Sequence, residues 1–376
     1  MPETLDTLRQ LTQSKTLESD YPRAKSIVSN VPHYDLSATD PSDVESVSAL
    51  QDEWYRALDS GPGVIVLQNF ISDPSVLDAA NAVFDQIIQQ EASSTKGDHF
   101  AAGGANSRIW NSFQKHAERD PDSFVAYYAN PWLRHVSEAW LGPGYQVTAQ
   151  VNVVRPGGQP QSPHRDFPLG FQTAAACARF PRGAHAATPY LTLQGGVAHS
   201  HMPLASGPTR LLPFSQRLPE GYAAWRDPAV AAFFAAHWVS APMRRGDAVF
   251  FSPALLHAAG ANTTADVQRS ANLLQVSSAF GRPMERVDAA RVIRCGWEAL
   301  RRLAREDGLG GQRTGACVNA MADGYPFPTN LDRRAPGPDG MAPTSEVDIL
   351  WEGLRGDWGV EQVVKAVRQL REDSSY

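Results

Sequence analysis

Three cysteines in 376 residues, Cys177, Cys295 and Cys317, are too few and too scattered for a disulfide framework or a CxxC zinc site. A reducing compartment and three inert thiols are the expectation. Blocks of like charge are equally scarce, and a net charge of -6 spread along the chain offers neither a basic groove for nucleic acid nor a polybasic membrane surface. Long apolar runs are missing too. No stretch approaches the roughly 18 apolar residues of a membrane span, and the opening "MPETLDTLRQ" has no apolar core of the kind a signal peptide needs, so a cytoplasmic protein is expected. No internal repeat is visible. The partners these absences leave are small molecules, with no nucleic acid and no membrane.

What is present reads as a soluble chain long enough to bury a large core. Residues 1–58 are polar and mixed with one short helix near 45–58, a lead-in wrapped on the main domain. "GPGVIVLQNFI" predicts a strand. The following "SDPSVLDAANAVFDQIIQQ" predicts an amphipathic helix capped by Ser72 or Asp73, with Val76, Leu77, Ala80, Val83, Phe84, Ile87 and Ile88 on its buried stripe. The Gly-, Ala- and Ser-rich residues 92–107 read as a flexible loop and a potential lid, with Trp110 beside it as a pocket aromatic, and helix returns over 122–140. From about 145 short β-branched runs follow one another: "QVTAQVNVV", "YLTLQGGVA", "TRLLPF", "DAVFFS" and "SANLLQVSSAF". This pattern predicts a mainly β fold with flanking helices, closed or double-sheeted like a jelly roll. Three segments result: lead-in 1–58, β domain with flanking helices 59–282, and a helical extension 283–376 packed on the core.

The chemistry concentrates in "SPHRDFPLGF". His164 and Asp166 stand two apart, and alternate residues of an extended segment point the same way, so one short stretch supplies two ligands. His257 completes the two-histidine, one-carboxylate set that suits Fe(II) and leaves coordination positions open. If Asn262–Asp266 form a hairpin turn, Arg269 falls opposite His257, and a guanidinium deep beside a metal calls for an anionic partner such as a dicarboxylic cosubstrate.

"HRD" (164–166), "GPTRLLPFSQ" (207–216), "GDAVFFSPALLHAAGANTT" (246–264) and Arg269, in that order, resemble the phytanoyl-CoA dioxygenase family of Fe(II)/2-oxoglutarate oxygenases over roughly residues 60–282. The resemblance implies a double-stranded β-helix, cupin-like core, with iron on His164, Asp166 and His257 and the distal carboxylate of 2-oxoglutarate on Arg269. It also implies that Thr209 and Asn152 help bind the cosubstrate. O2 is then the oxidant, 2-oxoglutarate decarboxylates to succinate, and a small organic substrate is hydroxylated; Asp166 stands where halogenating relatives carry a small residue. Desaturation, cyclisation or endoperoxide formation would use the same cofactors, and a non-catalytic metal-binding β-barrel module is the alternative from another class. Ala259 replaces a serine common in relatives, and "LPFSQ" replaces their usual "PGSH" turn. Residues 166–207 and the tail after 282 are longer than in compact members.

Three further side chains are candidates for touching substrate. Arg165 reaches an anion or forms a surface ion pair; Gln194 contacts the cosubstrate or is a satisfied core amide. His201, with His199 in "HSH", forms a rival metal pair or, preferred for want of a nearby carboxylate, lies in a loop near the mouth.

Overall fold

The structure is a computed structural model and describes residues 2–91, 106–327 and 329–375. Ten strands are described: β1 (Ser26–Val28), β2 (Val31–Asp35), β3 (Val64–Gln68), β4 (Asn106–Ile109), β5 (Gln146–Val154), β6 (Thr192–Ala198), β7 (Arg210–Leu211), β8 (Ala248–Phe251), β9 (His257–Ala258) and β10 (Arg269–Ser277). Eight of them form one sheet in the order β1-β2-β3-β8-β6-β10-β5-β4, and β7 pairs with β9 in a small second sheet. All the pairs are antiparallel except β2 with β3. The small layer is extended by bridges joining Met202 to Met243, Leu211 to Val239 and His164 to His257. Large and small layers together make the double-stranded β-helix, jelly-roll core.

The lead-in does more than wrap the outside. Its helix runs Val44–Asp59, close to the expected span, and β1 and β2 add an edge to the large sheet. The helix Pro74–Glu91 follows β3, with the Asp73 carboxylate accepting from the Ser75 N–H at its start, and buries Leu77, Ala80, Val83, Phe84 and Ile87. The helical region near 122–140 is split in two at Asn130, which caps the second helix through the Trp132 N–H. Strand β4 begins at Asn106, so Asn106 and Ser107 are strand and not loop, and the remainder of the expected lid lies outside the described residues.

The two faces of the large sheet differ. Val147, Ala149, Val151 and Val153 of β5, with Leu193, Val197, Phe250, Leu274 and Val276, join one hydrophobic cluster with helices drawn from along the chain, from Trp54 to Val367. The opposite, inward face carries Thr148, Gln150 and Asn152, which are nevertheless buried. At one end Val64, Val66, Val249 and Phe251 close this interior against Met202, Leu211, Met243 and Leu255. Elsewhere it is polar.

His199 illustrates the outer layer. It is buried under helices, its ring nitrogens bonded to Tyr127 Oη (2.8 Å) and Asn81 Oδ1 (2.7 Å), while exposed His201 stands apart from it. The "HSH" segment is therefore neither a metal pair nor two mouth residues. Burial holds the His199 pKa down at about 3, and that of neighbouring His116 at about 4. Both depressed values lie below that of an unfolded histidine, so below about pH 6.5 the unfolded chain takes up protons that the folded chain refuses. Urea midpoints should be level above about pH 7 and fall on acidification below about 6.5. A midpoint unchanged between pH 7 and pH 5 contradicts this account.

Candidate active site

The ligand loop after β5 is held by backbone pairing against the segment containing β9. The His164 N–H donates to the His257 carbonyl (2.9 Å), the His257 N–H returns the bond (3.1 Å), and the Asp166 N–H donates to Pro253 O (3.0 Å). Arg210 staples the same two segments, its guanidinium donating to Gln161 O (2.5 Å) and Ala259 O (3.2 Å). Nothing in the reading of the chain singled Arg210 out.

His164, Asp166 and His257 converge. Their three ligand atoms lie within 4.8 Å of one another, with His164 Nε2 3.9 Å from Asp166 Oδ1 and His257 Nε2 3.7 Å from Asp166 Oδ2. Each imidazole uses Nδ1 on a backbone carbonyl, Ser162 O at 2.8 Å for His164 and Leu255 O at 3.0 Å for His257. That fixes the tautomer and leaves both Nε2 lone pairs directed at the carboxylate. Burial, reinforced by neighbouring His164, lowers the His257 pKa to about 4, so its ring is neutral and able to donate at neutral pH. Two imidazoles and one carboxylate, a mixed nitrogen and oxygen donor set, fit a divalent iron ion.

Arg269 does not sit across a hairpin from His257 as its spacing suggested. His257 lies in the small sheet opposite Leu211, whereas Arg269 opens β10 in the large sheet opposite Val154 of β5. The chain crosses between layers through residues 259–268, where the Asn262 amide donates to Val154 O and Val267 O. Arg269 is 5% exposed, and burial alone pulls its pKa down to about 10, with no described carboxylate offsetting that burial. It therefore stays protonated, a buried cation in search of an anion. Asn152, opposite Ala271, shares the inward face, and its Oδ1 is buried without a partner among the described residues. Thr209 is half-buried directly before β7, in a segment that faces β9. Arg269 and Asn152 thus offer a cationic and a polar partner to an anion on the inward face.

Gln194 of β6 is on the inward face as well, and its amide Nε2 donates to Asp166 Oδ2. Gln150 and Gln275, which the sequence reading passed over, line the same face; Arg108 donates to Gln150 Oε1 (2.9 Å). The signal was the alternation in "QVTAQVNVV" itself, whose polar positions turn into the interior and not to solvent. Trp110 lies beneath the Arg108 guanidinium, 5.0 Å from ring centroid to Cζ.

Arg165 neither reaches a ligand nor meets solvent. Alternation turns it away from His164 and Asp166 into a pocket where it is 2% exposed, donating to Ser215 O (2.6 Å) and Leu218 O (3.0 Å) over the Tyr222 ring. Gly221 is required there, because a Cβ would lie 1.8 Å from the Arg165 Cζ. Arg165→Ala strands two buried carbonyls and opens a cavity, and should cost roughly 3 kcal/mol or more of stability. Urea denaturation measures it; a loss under about 1 kcal/mol contradicts the clamp.

Comparison with known proteins adds the following. The family model described as phytanoyl-CoA dioxygenase matches residues 61–271. No curated protein matches the sequence. Among solved structures, the chain is similar to the non-heme alpha ketoglutarate dependent epimerase SnoN from nogalamycin biosynthesis, at 18% identity and a TM-score of 0.44 over 63% of this chain and 82% of that one. SnoN in complex with Fe3+, alpha ketoglutarate and nogalamycin RO gives 19% and 0.43 over 63% and 85%. The carbocyclase SnoK of the same biosynthesis gives 19% and 0.44 over 64% and 87%. Among the described residues no helix is long and apolar enough to cross a membrane.

Proposed function

Because the chain belongs to the phytanoyl-CoA dioxygenase family of iron(II)- and 2-oxoglutarate-dependent oxygenases, we propose that it hydroxylates a small organic molecule with His164, Asp166 and His257 as iron ligands and Arg269 as anchor for the cosubstrate. The observation that carries this reading is a three-donor cluster and an uncompensated buried guanidinium inside one barrel. A structural metal site needs the first and has no use for the second. When bound, iron and 2-oxoglutarate supply O2 activation coupled to decarboxylation to succinate.

The chain's own residues bind and orient. The two imidazoles present Nε2, the Asp166 carboxylate brings the balancing negative charge, and Arg269 offers two parallel N–H donors to a carboxylate. Asn152 and Thr209 complete the cosubstrate's surroundings. Oxygenase chemistry falls to residues 59–282 in this reading, with 1–58 and 283–376 as supports, in a cytoplasmic enzyme.

Anaerobic titration of the protein with Fe(II) and then 2-oxoglutarate should develop the weak visible charge-transfer band of the chelate, and a substrate screen should follow succinate formation above the uncoupled background. A protein that binds Fe(II) and develops no band with 2-oxoglutarate is a metal-binding barrel, not an oxygenase.

A further inference from the structure

We propose that Gln194 is a positioning residue that sets the orientation of the Asp166 carboxylate for iron. The inference rests on the reading of His164, Asp166 and His257 as iron ligands. Each of the three ligands has one outer partner in the structure: Ser162 O for His164, Leu255 O for His257, and the Gln194 amide for Asp166. The first two are backbone atoms. Among the described residues Gln194 alone does this work with a side chain, so it alone can be removed by substitution.

The geometry suits the role. Asp166 belongs to a loop, anchored through its N–H to Pro253 O, and that bond leaves the carboxylate free to rotate. Gln194, by contrast, sits mid-strand in β6, paired with Phe251 on one side and Gln275 on the other. An ionised carboxylate only accepts hydrogen bonds, so the amide nitrogen must be the end that faces it. Gln194 Oε1 is thereby turned away and is buried without a partner among the described residues, a cost that packing alone gives no reason to bear. With Oδ2 engaged by the amide, rotation of the carboxylate is restrained. Ligation through one oxygen keeps open the positions that a chelating cosubstrate and O2 require, whereas a freely rotating carboxylate can grip with both oxygens and fill one of them.

The test compares Gln194→Met, of similar length and without a donor, with Gln275→Met, which removes a neighbouring amide on the same face that does not touch Asp166. Fe(II) affinity is measured anaerobically by competition with a chromogenic chelator, with circular dichroism as the check on folding; Gln194→Leu serves if the methionine variant misfolds. Gln194→Met should lose about ten- to a hundredfold in Fe(II) affinity, the usual effect of removing an outer-shell partner, and Gln275→Met should stay within about twofold of wild type. Equal Fe(II) affinity in wild type and Gln194→Met overturns the assignment, as does an equal loss in both variants, which would mark a general effect of interior polarity. A wild-type protein that itself fails to bind Fe(II) overturns the ligand reading, and this inference with it.

Discussion

Asp166→Ala should produce no succinate from 2-oxoglutarate under any condition while giving a circular dichroism spectrum close to wild type. The fold tolerates the change because the segment is held by its backbone: the 164–257 bridge and the bond from the Asp166 N–H to Pro253 O survive truncation of the side chain. Activity does not, because the carboxylate is the only anionic group in the cluster and the atoms facing it are the Nε2 nitrogens of His164 and His257. Two imidazoles alone leave the ion's charge unbalanced in a site that burial has already made unfavourable for cations. A variant that retains full turnover would remove Asp166 from the metal site.

The second large effect is expected at the other end of the cosubstrate. Arg269→Gln should weaken 2-oxoglutarate binding by roughly thirtyfold or more, the affinity equivalent of the about 2–5 kcal/mol that follows when one member of a buried charge pair is removed. Glutamine still donates one neutral hydrogen bond, so the deficit should lie toward the lower end. Fe(II) should bind as before, since Arg269 begins a strand of the large sheet and His257 belongs to the small one. Two anaerobic titrations separate these effects, Fe(II) alone and then 2-oxoglutarate onto iron-loaded protein. Unchanged 2-oxoglutarate affinity would make Arg269 an ordinary sheet arginine.

The pairing of His164 with Asp166 was legible in the sequence because its spacing is local: residues two apart share a face whatever the rest of the chain does, and distant His257 was reached through the donor set such a pair calls for. The stripe from Leu77 to Ile87 was legible for the same reason. Arg269 was legible as a residue and not as a position, since the hairpin argument assumed that consecutive strands pair, while this chain leaves one sheet and enters another between 259 and 268. Arg165 was misread because exposure is set by partners far away in sequence; its acceptors are carbonyls near residue 215. His199 failed likewise, its Tyr127 and Asn81 partners being contributed by helices that no local pattern links to it. Gln150 and Gln275 could have been found, had the polar half of an alternating strand been allowed to face inward.

That inversion has a further consequence. In an ordinary two-layer β protein the space between the sheets supplies most of the adhesion, and helices are ornaments. Here much of the space between the layers is reserved for polar side chains, and the apolar half of β5, β6 and β10 looks outward to helices drawn from along the whole chain, Val44–Asp59, those between 74 and 141, and Ala289–Asp307. The stretch that heredity marks, residues 61–271, ends inside β10 and includes the helices between 74 and 141 but not Val44–Asp59 or Ala289–Asp307. Lineage and cohesion therefore have different borders in this protein: the chemistry descends with one segment, and the packing over its sheet draws both on that segment's own helices and on sequence on either side.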